Sequence, residues 1–206
     1  MPRERPGAHA RGRSRQAGGP RGRNRWVVRR HDRERSAQDL HDEGPYVILD
    51  NIRSAFNVGS IFRTCEAAAV RHLYLCGITA HPPNPRVLKT SLGTEETLPC
   101  DHILSTAEAV EAVRQRGASI FAVELTDRSM PYTEIDYPEQ TALIFGHEVS
   151  GVSVPILEMS DQVIEIPMLG RKNSLNVATS VGVILFELLR QRSEKVSTGS
   201  GTVRNG

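Results

Sequence analysis

The chain has 206 residues, of which 38% are hydrophobic, and this composition suits a single domain with one sizeable core. Its apolar runs are too short for a transmembrane helix, and no apolar stretch follows the basic N-terminus, so we expect neither a membrane span nor a secretory signal. Its three cysteines are an odd number without a CxxC pair. A disulfide framework and a structural zinc site are therefore disfavoured, and a cytoplasmic location is expected.

The net charge of +2 is unevenly distributed along the chain. Residues 1–35 hold twelve arginines against three acidic residues, a net charge of +9, whereas the remaining residues carry a net charge of −7. The composition along the chain predicts a disordered basic arm over 1–44, followed by a folded domain over 45–192 and a flexible tail over 193–206. The arginines favour binding to RNA phosphates, with a solvated tail of no specific role or a mitochondrial transit peptide as alternatives.

Short apolar runs predict buried strands, and segments with helical spacing separate them. The predicted strands are YVILD (46–50), HLYLC (72–76), SIFAVEL (119–125), TALIF (141–145) and QVIEIP (162–167). The predicted helices cover residues 61–69, 106–116 and 177–189, and a proline-rich loop occupies residues 81–86. This alternation predicts an α/β domain with a mostly parallel sheet and helices on both faces.

Three polar, glycine-bearing segments follow predicted strands, at the position where parallel sheets bind ligands. They comprise residues 49–64, 144–153 and 166–182. The sequence has no GxGxxG after a strand, no P-loop motif and no GxSxG, so ordinary dinucleotide, nucleoside triphosphate and serine-hydrolase sites lack support. The seven histidines are scattered without an HExxH, and no metal site is expected.

Taken in order, the three segments resemble the motifs of the SpoU (TrmH-like) family of RNA ribose methyltransferases, within the SPOUT superfamily. The resemblance covers roughly residues 45–192. The matching residues are Asn57, Gly59 and Arg63 in the first segment, Phe145, Gly146, Glu148 and Gly151 in the second, and Ile166, Pro167, Met168, Ser174, Leu175 and Asn176 in the third.

The resemblance implies a fold, an activity and an assembly. The fold would be a parallel-sheet core whose C-terminal part forms a deep trefoil knot, an exception to the rule that chains avoid knots. The activity would be metal-free transfer of a methyl group from S-adenosyl-L-methionine to a ribose 2′-hydroxyl of structured RNA, leaving S-adenosyl-L-homocysteine. The small size favours tRNA over rRNA, and the family works as a homodimer with active sites made from both protomers.

The resemblance implies five residues at the catalytic centre, where alignment and charge placement would accelerate methyl transfer. Arg63 would activate the hydroxyl, either as a base or, since guanidinium stays charged, by gripping the adjacent phosphate and stabilising the developing alkoxide; a structural salt bridge is the alternative. Asn57 and Asn176 would orient the loops and the arginine. Glu148 would pair with Arg63 or hold the loops, and Ser174 would contact phosphate or cap the last helix.

The donor site is predicted at the second and third segments, with Gly146 allowing close backbone approach and with Ile166 and Met168 flanking adenine. Plain core packing is the alternative for these apolar residues. The predicted donor-binding residues are Val123, Glu124, Ile144, Phe145, Gly146, Ile166, Pro167, Met168, Leu175 and Asn176. Arg53, Arg171 and Lys172 are predicted to face RNA, or else to be solvated surface.

Two other functions compete with this interpretation. One is a catalytically idle RNA-binding protein of the same fold, which is disfavoured because the donor and arginine motifs are both intact. The other is a SPOUT enzyme that methylates a base nitrogen, which is disfavoured because the first motif is of the ribose type.

Overall fold

A computed structural model describes residues 41–199 of the chain, with side chains described as far as Lys195. Over these residues, strands form one sheet in which every neighbouring pair is parallel, in the order β3-β2-β1-β6-β4-β7-β5. The strands are β1 Tyr46–Asp50, β2 His72–Cys76, β3 Cys100–Ile103, β4 Ser119–Val123, β5 Met130–Pro131, β6 Thr141–Phe145 and β7 Gln162–Glu165. The predicted parallel sheet is confirmed.

Helices cover both faces of this sheet, as predicted. They are α1 Ala55–Ala67, α2 Pro85–Ser91, α3 Thr106–Arg114, α4 Val154–Met159 and α5 Val177–Gly199. On one face, α1, α2 and α5 enclose a core that includes Phe62, Val87 and Leu185. On the other face, α3 and α4 cover a second core that includes Val110 and Ile156. Burying side chains on both faces explains why the central strands read as continuous apolar runs.

The order of the strands decides where a ligand can bind. From β1 the chain winds outward through β2 to β3 and then crosses to β4 on the other side of β1. Strand β6 later inserts between β1 and β4. Ile48 of β1 therefore lies opposite Tyr74 of β2 on one side and Ile144 of β6 on the other. Such a reversal opens a crevice at the carboxyl ends of the strands. The segments that follow β1, β6 and β7 all leave from this edge. The trefoil knot stays a prediction.

Several elements differ from the sequence prediction. The half-exposed edge strand β3 and the short helices α2 and α4 were not predicted, and β4 ends at Val123 rather than at residue 125. Helix α5 continues to Gly199, into the segment over 193–206 predicted as a flexible tail. Arg190 forms ion pairs with Glu187 and, within that segment, with Glu194, each one turn away. The predicted basic arm lies outside the described residues, apart from residues 41–44.

Candidate active site

Glu148 connects the second predicted segment to the first. Its carboxylate accepts hydrogen bonds from the backbone N–H of Arg53 and of Ser54, both at 3.0 Å, and from the Asn57 side-chain amide at 3.3 Å. Partial burial raises the pKa of Glu148, but these hydrogen bonds lower it by more, so the pKa lies below the ordinary value of 4.5. The carboxylate therefore holds the turn that leads into α1.

Asn57 joins all three predicted segments. Its amide nitrogen donates to Glu148, and its amide oxygen accepts from the Asn176 side chain at 3.1 Å. The Asn176 oxygen in turn accepts from the backbone N–H of Ala178 at 2.9 Å, so Asn176 is the N-cap of α5. Of the two alternatives for Ser174, the one in which it caps the last helix is therefore wrong, since Ser174 lies two residues before the N-cap.

A cavity of about 440 Å³ lies at the carboxyl ends of β4, β6 and β7. Its walls come from the ends of those strands and from the second and third segments. The predicted donor-site residues that line it are Val123, Glu124, Phe145, Gly146, Ile166, Met168, Leu175 and Asn176. Ile144 does not line it, because its side chain is fully buried in the core beneath the sheet, and Pro167 is not part of the lining. Those two residues lack support as donor contacts.

The loop after β6 is held by backbone contacts of its own. Gly146 and Gly151 approach so closely that a Cβ on Gly146 would lie 2.3 Å from the Val152 nitrogen, and Gly151 has φ +68°. The glycine at 146 is thus required by the loop itself, whereas close approach to a ligand was the predicted reason. Glu124 accepts from the Val152 N–H at 2.9 Å, and His147 Nδ1 accepts from the Val149 N–H at 3.0 Å.

Sequence reasoning missed part of this lining. Leu125, Glu165 and Ser180 line the cavity, as do His147, Val149, Asn173 and Val177. Leu125 and Glu165 each lie at or just beyond the end of a strand, which is the signal that identifies them. The others lie within the two loop segments that the sequence had already singled out.

Arg63 lies apart from this cavity. It is exposed on the outer stripe of α1, which also carries Phe56, Ser60 and Ala67 at helical spacing. Within the described residues, Arg63 makes no hydrogen bond or ion pair and does not line the cavity. Among the residues that the structure describes, no ion pair of Arg63 supports the alternative of a structural salt bridge or the predicted pairing with Glu148.

The predicted RNA-facing residues all lie at the surface around the carboxyl edge of the sheet. Arg171 and Lys172 are exposed in the loop between β7 and α5, and Arg53 is exposed in the loop between β1 and α1. Among the described residues, no group of three or more histidine, cysteine or acidic side chains is placed to hold a metal ion. None of the described helices is long and apolar enough to cross a membrane.

A family model described as the SpoU rRNA Methylase family matches residues 44–186. The chain belongs to this family. A tRNA (guanosine(18)-2'-O)-methyltransferase of Aquifex aeolicus is 32% identical over 170 residues, which cover 82% of this chain and 80% of that protein. A Thermus thermophilus protein of the same name is 36% identical over 146 residues, which cover 71% of this chain and 74% of that protein.

Solved SpoU structures share the fold. The SpoU methyltransferase AviRb from Streptomyces viridochromogenes, crystallised in complex with the cofactor AdoMet, matches with a TM-score of 0.69 and 27% identity. The match covers 74% of this chain and 62% of that chain. The predictions of family, of a methyltransferase and of a parallel α/β fold are therefore confirmed.

Proposed function

We propose that this SpoU protein transfers a methyl group from S-adenosyl-L-methionine to a ribose 2′-hydroxyl of tRNA. The observation that carries the proposal is the Glu148–Asn57–Asn176 chain of hydrogen bonds, which joins the first family motif to the two motifs that line the cavity. tRNA is favoured over rRNA because the chain matches most of the length of relatives named as tRNA methyltransferases.

The cavity fits this donor in size and in chemistry. Its volume of about 440 Å³ lies within the ~300–1,000 Å³ typical of pockets for ligands of this size. Leu125, Ile166 and Leu175 provide apolar surface for the adenine ring, and the carboxylates of Glu124 and Glu165 provide negative charge that attracts a sulfonium cation. S-adenosyl-L-methionine supplies the methyl group when it is bound there.

The residues around the cavity align the reactants. The hydrogen bonds of Asn57 fix the start of α1 relative to the start of α5, so the loops that face donor and acceptor keep one geometry. Arg171, Lys172 and Ser174 are exposed in the loop that lines the cavity with Asn173 and Ser174, which supports a role in contacting phosphates. Arg63 grips the phosphate next to the reacting ribose and stabilises the charge that develops on its 2′-oxygen.

We propose a homodimer, and the position of Arg63 supports this proposal. Arg63 does not line the donor cavity of its own chain, so in the proposed dimer a second copy brings the arginine to that cavity. Exposed apolar groups support a surface for such a copy: Phe56 on the same stripe of α1 is 47% exposed, and Phe186 on α5 is 54% exposed. We also propose a cytoplasmic location, because the cysteines are free thiols, which suit a reducing compartment.

The reaction is tested by digesting tRNA incubated with protein and donor to nucleosides and measuring them by mass spectrometry. A 2′-O-methylnucleoside is the expected product, and guanosine 18 is the first position to examine, given the names of the relatives. A methylated base would instead identify a base-nitrogen enzyme of the same fold. No product from folded protein that binds tRNA would identify an RNA-binding protein.

Arg63→Ala tests the role of the arginine and the dimer together. Turnover on saturating tRNA and donor is expected to fall about 10²-fold to 10³-fold, as when one well-placed charge-stabilising group is removed. Donor affinity should persist, because Arg63 does not line the donor cavity. Leu175→Asp, which alters that lining, provides the complementary inactive variant.

Mixing the two inactive variants distinguishes action across a dimer from action within one chain. If Arg63 serves the partner's donor, a mixed dimer holds one intact site and turnover reappears on mixing. Mixed samples that exchange subunits yet stay inactive would show that Arg63 acts within its own chain. Near-normal turnover of Arg63→Ala alone would contradict the proposed role altogether.

A further inference from the structure

A second cavity, of about 830 Å³, lies beside the candidate active site at the carboxyl ends of β1, β2 and β3. We call it the histidine groove. Its walls are the loop after β1, the loop after β2 with its proline-rich continuation, and His102 near the end of β3. None of the three family motifs accounts for the groove, apart from the Arg53–Phe56 turn that it shares with the first.

The walls of the histidine groove are held rigidly by buried polar contacts. Thr79 is 1% exposed, and its hydroxyl donates to the Cys76 carbonyl at 2.6 Å and accepts from the Ile52 N–H at 3.0 Å. Asn51, at φ 60°, accepts from the Ile78 N–H at 3.1 Å. These contacts join the loop after β1 to the loop after β2, so the groove exists before any ligand arrives.

Two histidines form an aromatic surface in this groove. The rings of His81 and His102 stack with centroids 3.9 Å apart and planes inclined by 21°. His102 is fixed by a hydrogen bond from Nε2 to the Gly77 carbonyl at 2.9 Å, and both side chains are exposed. Imidazole faces are among the surfaces on which unpaired RNA bases stack.

The charge of the histidine groove also favours RNA. Arg53 and Arg86 line it together with the two histidines, and its lining includes no acidic residue. The chain beyond residue 35 nevertheless carries a net charge of −7, so this basic surface stands out from the body around it. A cleft lined by one sign of charge attracts a ligand of the opposite sign.

The groove and the donor cavity are neighbours, connected by hydrogen bonds across one turn. Glu148 lines the donor cavity, and its carboxylate holds the backbone N–H of Arg53 and Ser54, whose residues line the histidine groove. One turn thus separates the two spaces. An RNA strand with its ribose at the donor cavity would pass over this turn and place a further nucleotide in the groove.

We propose that the histidine groove is a second nucleotide subsite for the RNA substrate. It takes an unpaired base against the His81–His102 pair, while Arg53 and Arg86 contact the flanking phosphates. This assignment rests on the proposed function, since it identifies the acceptor as RNA with at least one splayed nucleotide near the methylated ribose. It makes the unpaired nucleotide a determinant of which RNA is methylated.

The test uses the full chain, an unmodified tRNA transcript with a fluorescent label, and both binding and turnover as readouts. His81→Ala is expected to weaken tRNA binding and raise the KM for tRNA about 5-fold to 100-fold, the usual effect of losing one base-stacking side chain. kcat and donor affinity should change little. His81→Phe keeps an aromatic face and should restore most of the affinity.

Two further variants separate stacking, phosphate contact and general damage. Arg86→Ala should weaken binding and reduce the slope of log affinity against log salt by about 0.7–0.9, as expected for one lost phosphate contact. His72→Ala is the matched control, because His72 begins β2 at the opposite edge of the sheet and should leave tRNA affinity unchanged. Donor affinity measured by calorimetry reports whether each variant is folded.

The possible results are distinct. Base stacking in the groove would be overturned if His81→Ala bound tRNA as tightly as the unchanged protein. It would also be overturned if His81→Phe failed to restore the affinity. An unchanged salt slope for Arg86→Ala would overturn the phosphate contact. If the unchanged protein forms no 2′-O-methylnucleoside, the proposed function fails, whereas the binding comparison still decides whether the groove holds RNA.

Discussion

Glu148→Gln perturbs the junction between the two loops of the site while keeping the size of the side chain. In the native protein one carboxylate oxygen accepts from the Ser54 N–H and the Asn57 amide, and the other accepts from the Arg53 N–H. Glutamine offers a single acceptor oxygen. Its NH₂ group would face a donor on the other side, so at least one N–H loses its partner.

The cost of this change follows from the number and exposure of those bonds. A hydrogen bond to a charged group contributes about 1.5–3 kcal/mol when well buried. Glu148 is only partly buried, so solvent screening reduces the expected total for Glu148→Gln to about 1–3 kcal/mol. For a chain of this size, the melting temperature should fall by about 2–10 °C at neutral pH.

The direction of the pKa shift of Glu148 determines how the stability difference should change with pH. The folded pKa of Glu148 lies below its ordinary value of 4.5, so the ionised carboxylate contributes stability that is fully present above pH 4.5. That contribution is lost as the pH falls through the folded pKa. The difference in unfolding free energy between the native protein and Glu148→Gln should therefore be constant from pH 7 to pH 5 and shrink at lower pH.

Chemical unfolding at several pH values, with Glu158→Gln as the control, measures both effects. Glu158 lies on α4, away from the loop, and its replacement removes the same charge, so that variant should match the native protein at neutral pH. Equal stability of Glu148→Gln and Glu158→Gln would refute the view that the carboxylate holds the loop. A stability difference that grows on acidification would refute the pKa argument.

Two other predictions concern helix packing and the basic arm. Gly59→Ala should lower the unfolding free energy by about 1–3 kcal/mol, since its Cβ would lie 2.4 Å from the Val87 carbonyl oxygen of α2. The control Gly182→Ala has its nearest neighbour at 3.8 Å, so equal effects in thermal unfolding would contradict the contact. Deleting residues 1–35 removes a net charge of +9, and both tRNA affinity and its salt dependence should fall while donor affinity persists. Identical salt slopes for the two chains in a binding titration would show a passive tail.

The parts of the fold that the sequence predicted are those that burial dictates. β1, β2 and β6 match their predicted residues because each is an apolar run buried on both faces. Edge strand β3 has the pattern CDHI, half exposed and without an apolar run, and α4 has only six residues. Neither carries a periodicity long enough to recognise from sequence.

In the candidate site, too, some features could be predicted from the sequence and others could not. The motif residues indicated which segments meet, but not what each residue contacts. Glu148 and Asn57 are 91 positions apart, so their hydrogen bond, and with it the loop-holding role of Glu148, depends on tertiary structure. The stacking of His81 on His102 joins the loop after β2 to strand β3, which carry no shared motif, and no spacing rule would have paired them.

The pairing of β1 with β6 has a consequence for how the chain is made. β1 ends at Asp50, and its partner β6 ends at Phe145, so one hydrogen-bonding edge of β1 stays open until about 95 further residues emerge. Ribosomes add about 5–20 residues per second, so that edge waits for about 5–20 s during synthesis.

An unpaired edge on an apolar strand is a template for association with other chains. Nascent or truncated chains that stop before residue 141 therefore expose YVILD, whose residues the finished protein buries completely. Binding of chaperones and misassembly should therefore occur mainly between the synthesis of β1 and the synthesis of β6. Folding yield in cells should therefore depend on how soon TALIF follows YVILD during synthesis, as well as on the stability of the completed sheet.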